Sequence, residues 1–276
     1  MTDPTPLEAL THSHLDHLER MVQHPSTGHA DLDKLTGGLR PASLFVLTGP
    51  AGVGCSMAGL TFARAAAKGG HRTLIVNCEI TNTEQMNRLL SAEGRVPLFH
   101  ISNSTMTEDE WDRLAQVMAA TIDLPITMHD RWTTFDGVAA HVANSDNPPR
   151  VIVIDGLNQL ARAVAPEQRA AAHAELTAAA KRLARVTQAT VVATVPTNRK
   201  TGVNPAGFLS AAWSASYETD ADVVMYLHRE DQMDRESPRA GEIDFRVLIN
   251  RFGPTATATV ALQTHYARTV DMAPPA

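Results

Sequence analysis

The chain has 276 residues, with 24 Lys and Arg against 30 Asp and Glu, a formal net charge of −6; this excludes the overall basic footprint of a protein that coats nucleic acid by charge alone, so any DNA contact must come from a local patch. With 43% hydrophobic residues it can bury one large core, while its two cysteines, Cys55 and Cys78, exclude a disulfide framework. No apolar run reaches the roughly 18 residues that span a bilayer, and the N-terminal stretch with Asp3, Glu8 and several His lacks the basic-then-apolar order of a signal peptide; a cytoplasmic protein with no membrane partner is the expectation.

Near the N-terminus, Leu7, Leu10, Leu15, Leu18, Met21 and Val22 fall at helical spacing. They predict one amphipathic helix with too little around it to form its own core. His12, His14 and His17 share the segment, but without a Cys or carboxylate cluster at ligand spacing they read as a solvated polar face rather than a metal site. Pro25 to Gly28 reads as a linker, giving a leader over residues 1–27 and a domain over 28–273.

From Asp31 onward strand, loop and helix recur. The Leu44–Leu47 strand, a helix from about Ser56 to Lys68 closed by Gly69-Gly70, and the Thr73–Cys78 strand form a first β-α-β unit. Thr81-x-x-Glu84 and Thr107-x-x-Glu110 have capping-box spacing and predict helices near 83–92 and 108–120. Pro125–Met128, Val151–Ile154 and Thr190–Val195 are short β-rich runs, the last two separated by a helix from about Glu167 to Val186, a pattern of buried parallel strands. Val223–Leu227, Phe245–Ile249 and Thr257–Leu262 follow without long helices between them, predicting an antiparallel extension. The expected class is α/β: a mostly parallel twisted sheet flanked by helices, with an antiparallel C-terminal extension.

The chemistry concentrates where the first strand meets the first long helix. Gly49-Pro50-Ala51-Gly52-Val53-Gly54-Cys55-Ser56 has the build of a phosphate-binding loop, in which glycines let backbone N–H groups close on an anion at a helix N-terminus. The pattern G-x-x-x-x-G-K-[ST] fits at Gly49, Gly54 and Ser56, but Cys55 stands where the lysine belongs. Ser56 has the place of a Mg²⁺-binding hydroxyl, or of a plain helix-start serine; Asp155, ending a buried strand, that of the acid beside it, or of a turn former. Cys55 and Cys78 end adjacent segments, which would allow a redox switch. Strand alternation turns Cys78 away from the Glu79 side, so buried small residues are the better account.

In order along the chain, Asp31-Leu32-Asp33-Lys34-Leu35-Thr36-Gly37-Gly38-Leu39-Arg40-Pro41, the phosphate-binding loop, Cys78-Glu79-Ile80, Leu89-Leu90-Ser91-Ala92-Glu93, Thr107 to Leu114, Asp220-Ala221-Asp222-Val223-Val224 and Asn250-Arg251-Phe252-Gly253-Pro254-Thr255 resemble the C-terminal motor domain of the DnaB-type replicative helicase family, a RecA-like P-loop NTPase. The likeness runs from about Pro6 to Met272, and no counterpart of the family's N-terminal collar is read. It implies ATP and Mg²⁺ as ligands, the metal held by Ser56 and Asp155. It implies Glu79 as the carboxylate that polarises attacking water, and Arg251 as a finger inserted into a neighbouring subunit's nucleotide. A ring-type homo-oligomer, possibly a hexamer with the leader helix on a neighbour, follows, as does a true replicative helicase as a possible partner.

The departures from that family are as informative. Besides Cys55, Pro196 replaces the glutamine expected before Asn198-Arg199, and Ile249 replaces the lysine two residues before Arg251. Each lost group touches or senses the terminal phosphate. Where the family carries an Arg-Glu-Ser-Gly stretch facing DNA, this chain reads Ala212-Trp213-Ser214-Ala215, so single strands should bind weakly unless Trp213 stacks on bases. The expectation is an ATP-binding, DnaB-like protein of DNA replication or DNA handling with impaired hydrolysis and unwinding. The alternatives are an active ATP-dependent helicase or translocase, in which Arg199 or Lys200 replaces the lysine, and a nucleotide-independent assembly scaffold.

Overall fold

The computed structural model describes residues 6–7, 23–132, 134–161, 164–197 and 214–272. In chain order its elements are α1 (Ala30–Thr36), β1 (Ser43–Pro50), α2 (Cys55–Lys68), β2 (Thr73–Asn77), α3 (Asn82–Gly94), α4 (Leu98–Asn103), α5 (Glu108–Thr121), β3 (Ile126–His129), α6 (Phe135–Ala143), β4 (Val151–Asp155), α7 (Arg169–Thr187), β5 (Thr190–Thr197), α8 (Ser214–Asp220), β6 (Val223–His228), β7 (Glu242–Asn250), β8 (Thr257–Gln263) and β9 (Arg268–Val270).

Alternation along the central strands builds two cores. Phe45, Leu47, Val151, Val153 and Val192 join one cluster with Phe62 and Ala63 of α2; Leu44, Val46, Ile152, Ile154 and Val191 join another with Ala180, Leu183 and Ala184 of α7. A strand covered by helices on both faces needs this near-continuous apolar character. The sheet order is β3-β2-β4-β5-β1-β6-β7-β8-β9. Pairing is parallel from β3 through β6 and antiparallel from β6 to β9.

The expected class therefore holds, with one correction: β6, read as part of the antiparallel extension, runs parallel to β1, and only β7 to β9 run antiparallel. The short helix α8 precedes β6, so the chain enters that strand by a crossover. Both capping boxes are complete, at Thr81 with Glu84 and at Thr107 with Glu110. The short helices α1, α4 and α6, at 7, 6 and 9 residues, went unread because so few turns leave little periodicity to see. Among the described residues no helix is long and apolar enough to cross a membrane.

Three acidic residues tie the domain's lower edge, where the parallel strands begin. Asp222 accepts from Leu44 N at 2.8 Å and from Lys181 Nζ at 2.5 Å, joining β6, β1 and α7. Asp33 Oδ1 accepts from Thr27 N at 2.8 Å and Thr27 Oγ1 at 2.7 Å, and Leu39 N donates to Pro25 O at 2.7 Å. The stretch Pro25 to Gly28, expected as a linker, is thus fastened to the domain, with Thr27 fully buried. The rest of the leader helix, residues 8–22, lies outside the described residues.

The third acid, Asp271, lies 2.9 Å from Nδ1 of the buried His29, whose Nε2 is 2.9 Å from Thr269 Oγ1. Burial pulls His29 below its ordinary value of 6.5, against the opposing hydrogen bond and charge of Asp271. The unfolded chain takes up this proton near 6.5 while the folded chain resists, so the stability tied to neutral His29 is present above that value and lost as pH falls below it. Thermal melts should show a lower midpoint at pH about 5.5 than at pH about 7.5, with a smaller drop in His29→Gln. An equal drop in the variant would contradict this role.

Candidate nucleotide-binding site

β1 ends against β6, and a Cβ at Gly49 would lie 2.7 Å from Leu227 O, so glycine is the residue that lets the chain leave the strand here. Gly54 turns the loop into α2 at φ 120°, a left-handed conformation that disfavours side chains. No side chain caps α2 at that end. The first-turn N–H groups of this 14-residue helix are therefore left for an anion in the cleft, favoured by the helix dipole.

β4 ends at the buried Asp155, level with Thr194 on the neighbouring β5. Thr194 Oγ1 donates to Asp155 Oδ1 at 2.6 Å and accepts from Gly156 N at 2.8 Å. Burial pushes Asp155 above the usual carboxylate range; the Thr194 hydrogen bond, then the nearby Ser56 hydroxyl and the charge of Arg88, oppose it. Glu79 follows the end of β2, and its Oε1 accepts from Gln159 Nε2.

These elements enclose a cleft of about 480 Å³, lined by the loop from Pro50 to Met57 and by Glu79, Arg88, Asn158, Gln159 and Thr194. Asn158 Oδ1 and Gln159 Oε1 are buried there without a hydrogen-bond partner among the described residues. Such acceptors are left for donors from outside the chain. The Ser56 hydroxyl and Asp155 carboxylate are oxygen donors of the kind Mg²⁺ takes together with phosphate oxygens. By donor chemistry and by its orphaned acceptors, the site fits a magnesium nucleotide.

Cys55 is buried among the α2-side core, while Cys78 packs against the opposite core, across the sheet. Burial, followed by the Asp155 and Glu79 carboxylates, pushes the Cys78 thiol up to about 12, and burial raises Cys55 as well. Cys55 is a small buried residue, as expected, whereas Cys78 is only half-buried. Pro196 lies opposite Gly49 on β5, beyond the last β4 pairing at Thr194, so its missing N–H breaks no bond to that strand. Ile249 packs half-buried against the α7-side core. Neither replacement side chain has a polar atom to offer a phosphate.

The residues read from sequence separate in space. Gly49 to Ser56, Glu79 and Asp155 come together. Arg251 does not: its backbone N donates to Asp222 O at 2.9 Å and its Nη2 to Thr219 O at 2.6 Å, beside the start of β6. With a rise of 3.3 Å per residue along β1, that is roughly 25 Å from the loop of the same chain. Asn198, Arg199, Lys200, Ala212 and Trp213 lie outside the described residues, while Ser214 and Ala215 open α8. Sequence reasoning missed Arg88, Asn158, Gln159 and Thr194. Arg88 was hidden by its spacing: four residues after Glu84, it looks like half of an ordinary helix-face ion pair.

Residues 25–271 match the sequence profile of the DnaB-like helicase C-terminal domain. A replicative DNA helicase DnaB from Leifsonia xyli subsp. xyli (strain CTCB07) is 35% identical over 256 residues, 90% of this chain and 56% of the relative. One from Mycobacterium leprae (strain TN) is 34% identical over 227 residues, 79% of this chain and 37% of the relative. The chain thus spans about half or less of the length of these curated relatives. A solved ATPase domain superposes with a TM-score of 0.89 at 20% identity, covering 98% of this chain and 100% of that one. A DnaB-like replicative helicase, solved in work on its interactions with primase, superposes at 0.85 and 21% identity, covering 99% and 68%.

The packing of the two cysteines sets an expectation for their reactivity. A thiol-specific reagent at pH about 8 should label the folded protein far more slowly than the urea-unfolded chain at both sites. Rapid labelling of the folded chain at Cys55 would contradict its burial.

Proposed function

Since this chain belongs to the DnaB-like helicase C-terminal domain family, we propose that it binds Mg-ATP in this cleft and retains the nucleotide for assembly rather than for fast turnover. One observation carries the reading: the Thr194–Asp155 hydrogen bond, with the Ser56 hydroxyl near the same carboxylate, is intact beside a loop whose lysine position is filled by a buried cysteine. The α2 N-terminus and the glycine-shaped loop bind the phosphates through backbone donors. Ser56 and Asp155 would hold Mg²⁺, which when bound supplies positive charge against the phosphate oxygens. Glu79, hydrogen-bonded by Gln159, would orient a water.

Phosphoryl transfer depends on preorganised charge around the terminal phosphate, and losing a single donor there costs roughly 100- to 1000-fold in rate. Cys55, Pro196 and Ile249 withdraw three such groups, so hydrolysis should be slow and unwinding impaired. Arg251, held at the far end of its own domain, would serve the cleft of a neighbour in a ring-type homo-oligomer, which accords with the family resemblance. Single-stranded DNA binding should be weak, and the setting is DNA replication or DNA handling, with a true replicative helicase as a candidate partner. The intact Glu79 and Asp155 favour one second reading, an active ATP-dependent translocase.

Calorimetry with millimolar Mg-ATP should give measurable heat and a raised melting point; silence in both would defeat the nucleotide reading in favour of a scaffold. Steady-state hydrolysis should stay very slow with or without single-stranded DNA. Several turnovers per second with DNA stimulation would instead establish the translocase. For the ring, a chain lacking residues 1–22, which leaves the fastened Pro25 to Gly28 stretch in place, should shift in light scattering toward monomer mass. An unchanged mass would contradict a leader helix docked on a neighbouring subunit.

A further inference from the structure

The cleft contains Glu79, with Asp155 directly beneath it, and a nucleotide would bring further negative charge. Among the described residues that line it, Arg88 is the one Lys or Arg. Arg88 lies on α3, the helix that follows Glu79, and is half-buried. It makes no hydrogen bond or ion pair with any described residue. The expected helix-face partner is committed elsewhere: Glu84 accepts from Thr81 N at 2.8 Å and from Thr81 Oγ1 at 3.0 Å, closing the capping box of α3. Glu84 feels the charge of Arg88 but makes no ion pair with it, so the guanidinium stands without a hydrogen-bond or ion-pair partner among the described residues on a cleft wall shared with Glu79. It lines the same cleft as Glu79 and the glycine-rich loop from Pro50 to Met57.

We propose that Arg88 is the phosphate-binding cation of this cleft, contacting the terminal phosphate of a nucleoside triphosphate and standing in for the lysine that Cys55 displaces. A guanidinium suits the part: its planar fork can donate two parallel hydrogen bonds to phosphate oxygens, and it stays charged at any accessible pH. From α3 it approaches the phosphates from the side of the Glu79 strand, whereas a lysine at position 55 would rise from within the loop. The two positions should therefore be partly interchangeable for binding. This inference rests on the reading that the cleft holds Mg-ATP.

The test is a calorimetric titration of the full chain with Mg-ATP and with Mg-ADP, comparing wild type, Arg88→Ala, Arg88→Lys, and Arg88→Ala combined with Cys55→Lys. A charge-assisted contact of this kind predicts that Arg88→Ala weakens Mg-ATP binding by roughly 10- to 100-fold. Mg-ADP should be affected less, Arg88→Lys should retain part of the affinity, and Cys55→Lys should restore Mg-ATP binding in the Arg88→Ala background. The nucleotide-free melting point should stay unchanged, because no protein hydrogen bond is removed. If Arg88→Ala binds Mg-ATP as wild type does, or loses ATP and ADP equally along with its own melting point, Arg88 is not the phosphate cation. Wild type that binds neither nucleotide would overturn the parent reading and this one with it, an outcome distinct from a binding wild type with an indifferent Arg88.

Discussion

A carboxylate buried at the end of a central strand is costly unless hydrogen bonds hold it, and the cleft depends on how Asp155 meets that requirement. Thr194 on β5 hydrogen-bonds to it, and the Ser56 hydroxyl at the head of α2 acts on the same carboxylate. This links β4, β5 and the loop-helix unit that leaves β1. The three elements must end at one level for those interactions to form, and the parallel register, pairing Asp155 with Thr194 and Gly49 with Pro196, sets that level. The phosphate-binding shape of the loop is therefore a property of the sheet as much as of its glycines.

The missing lysine changes the electrostatics more than the architecture. Cys55 fills its position with a small buried side chain, leaving the backbone donors and helix dipole of α2 in place. What goes is a mobile point charge. On the proposed reading Arg88 supplies charge from the next helix, where Glu84 is hydrogen-bonded to its own N-cap and makes no ion pair with Arg88. Binding needs attraction to phosphate, which backbone donors and one guanidinium can provide. Rapid hydrolysis needs several aligned donors at once, and on the proposed reading Pro196 and Ile249 leave two of those places without one.

Much of the fold was legible because its signals are local. The apolar run from Leu44 to Leu47, the paired glycines after Lys68 and the two capping boxes each state an element without tertiary help. The direction of β6 was not legible, since the apolar run Val223–Leu227 reads the same beside a parallel or an antiparallel neighbour. The binding loop, Glu79 and Asp155 were found by motif. Thr194 and Gln159 were missed because their partners, Asp155 and Glu79, lie far away in sequence, and Asn158 because no motif marks it. Several residues that carry the family resemblance prove to be structural: Asp33 fastens Thr27 to the domain, and Asp222 joins Leu44 to Lys181. Such anchors keep a motif recognisable whether or not the chemistry persists.

The central claim is that this cleft keeps a nucleoside triphosphate without breaking it down. Phosphorus NMR of ATP with Mg²⁺ and an excess of the protein reads both halves of that claim in one sample. The account predicts β- and γ-phosphate resonances displaced from their free positions and persisting over hours. Resonances that stay at the free positions, or a γ signal that gives way steadily to inorganic phosphate, would contradict it.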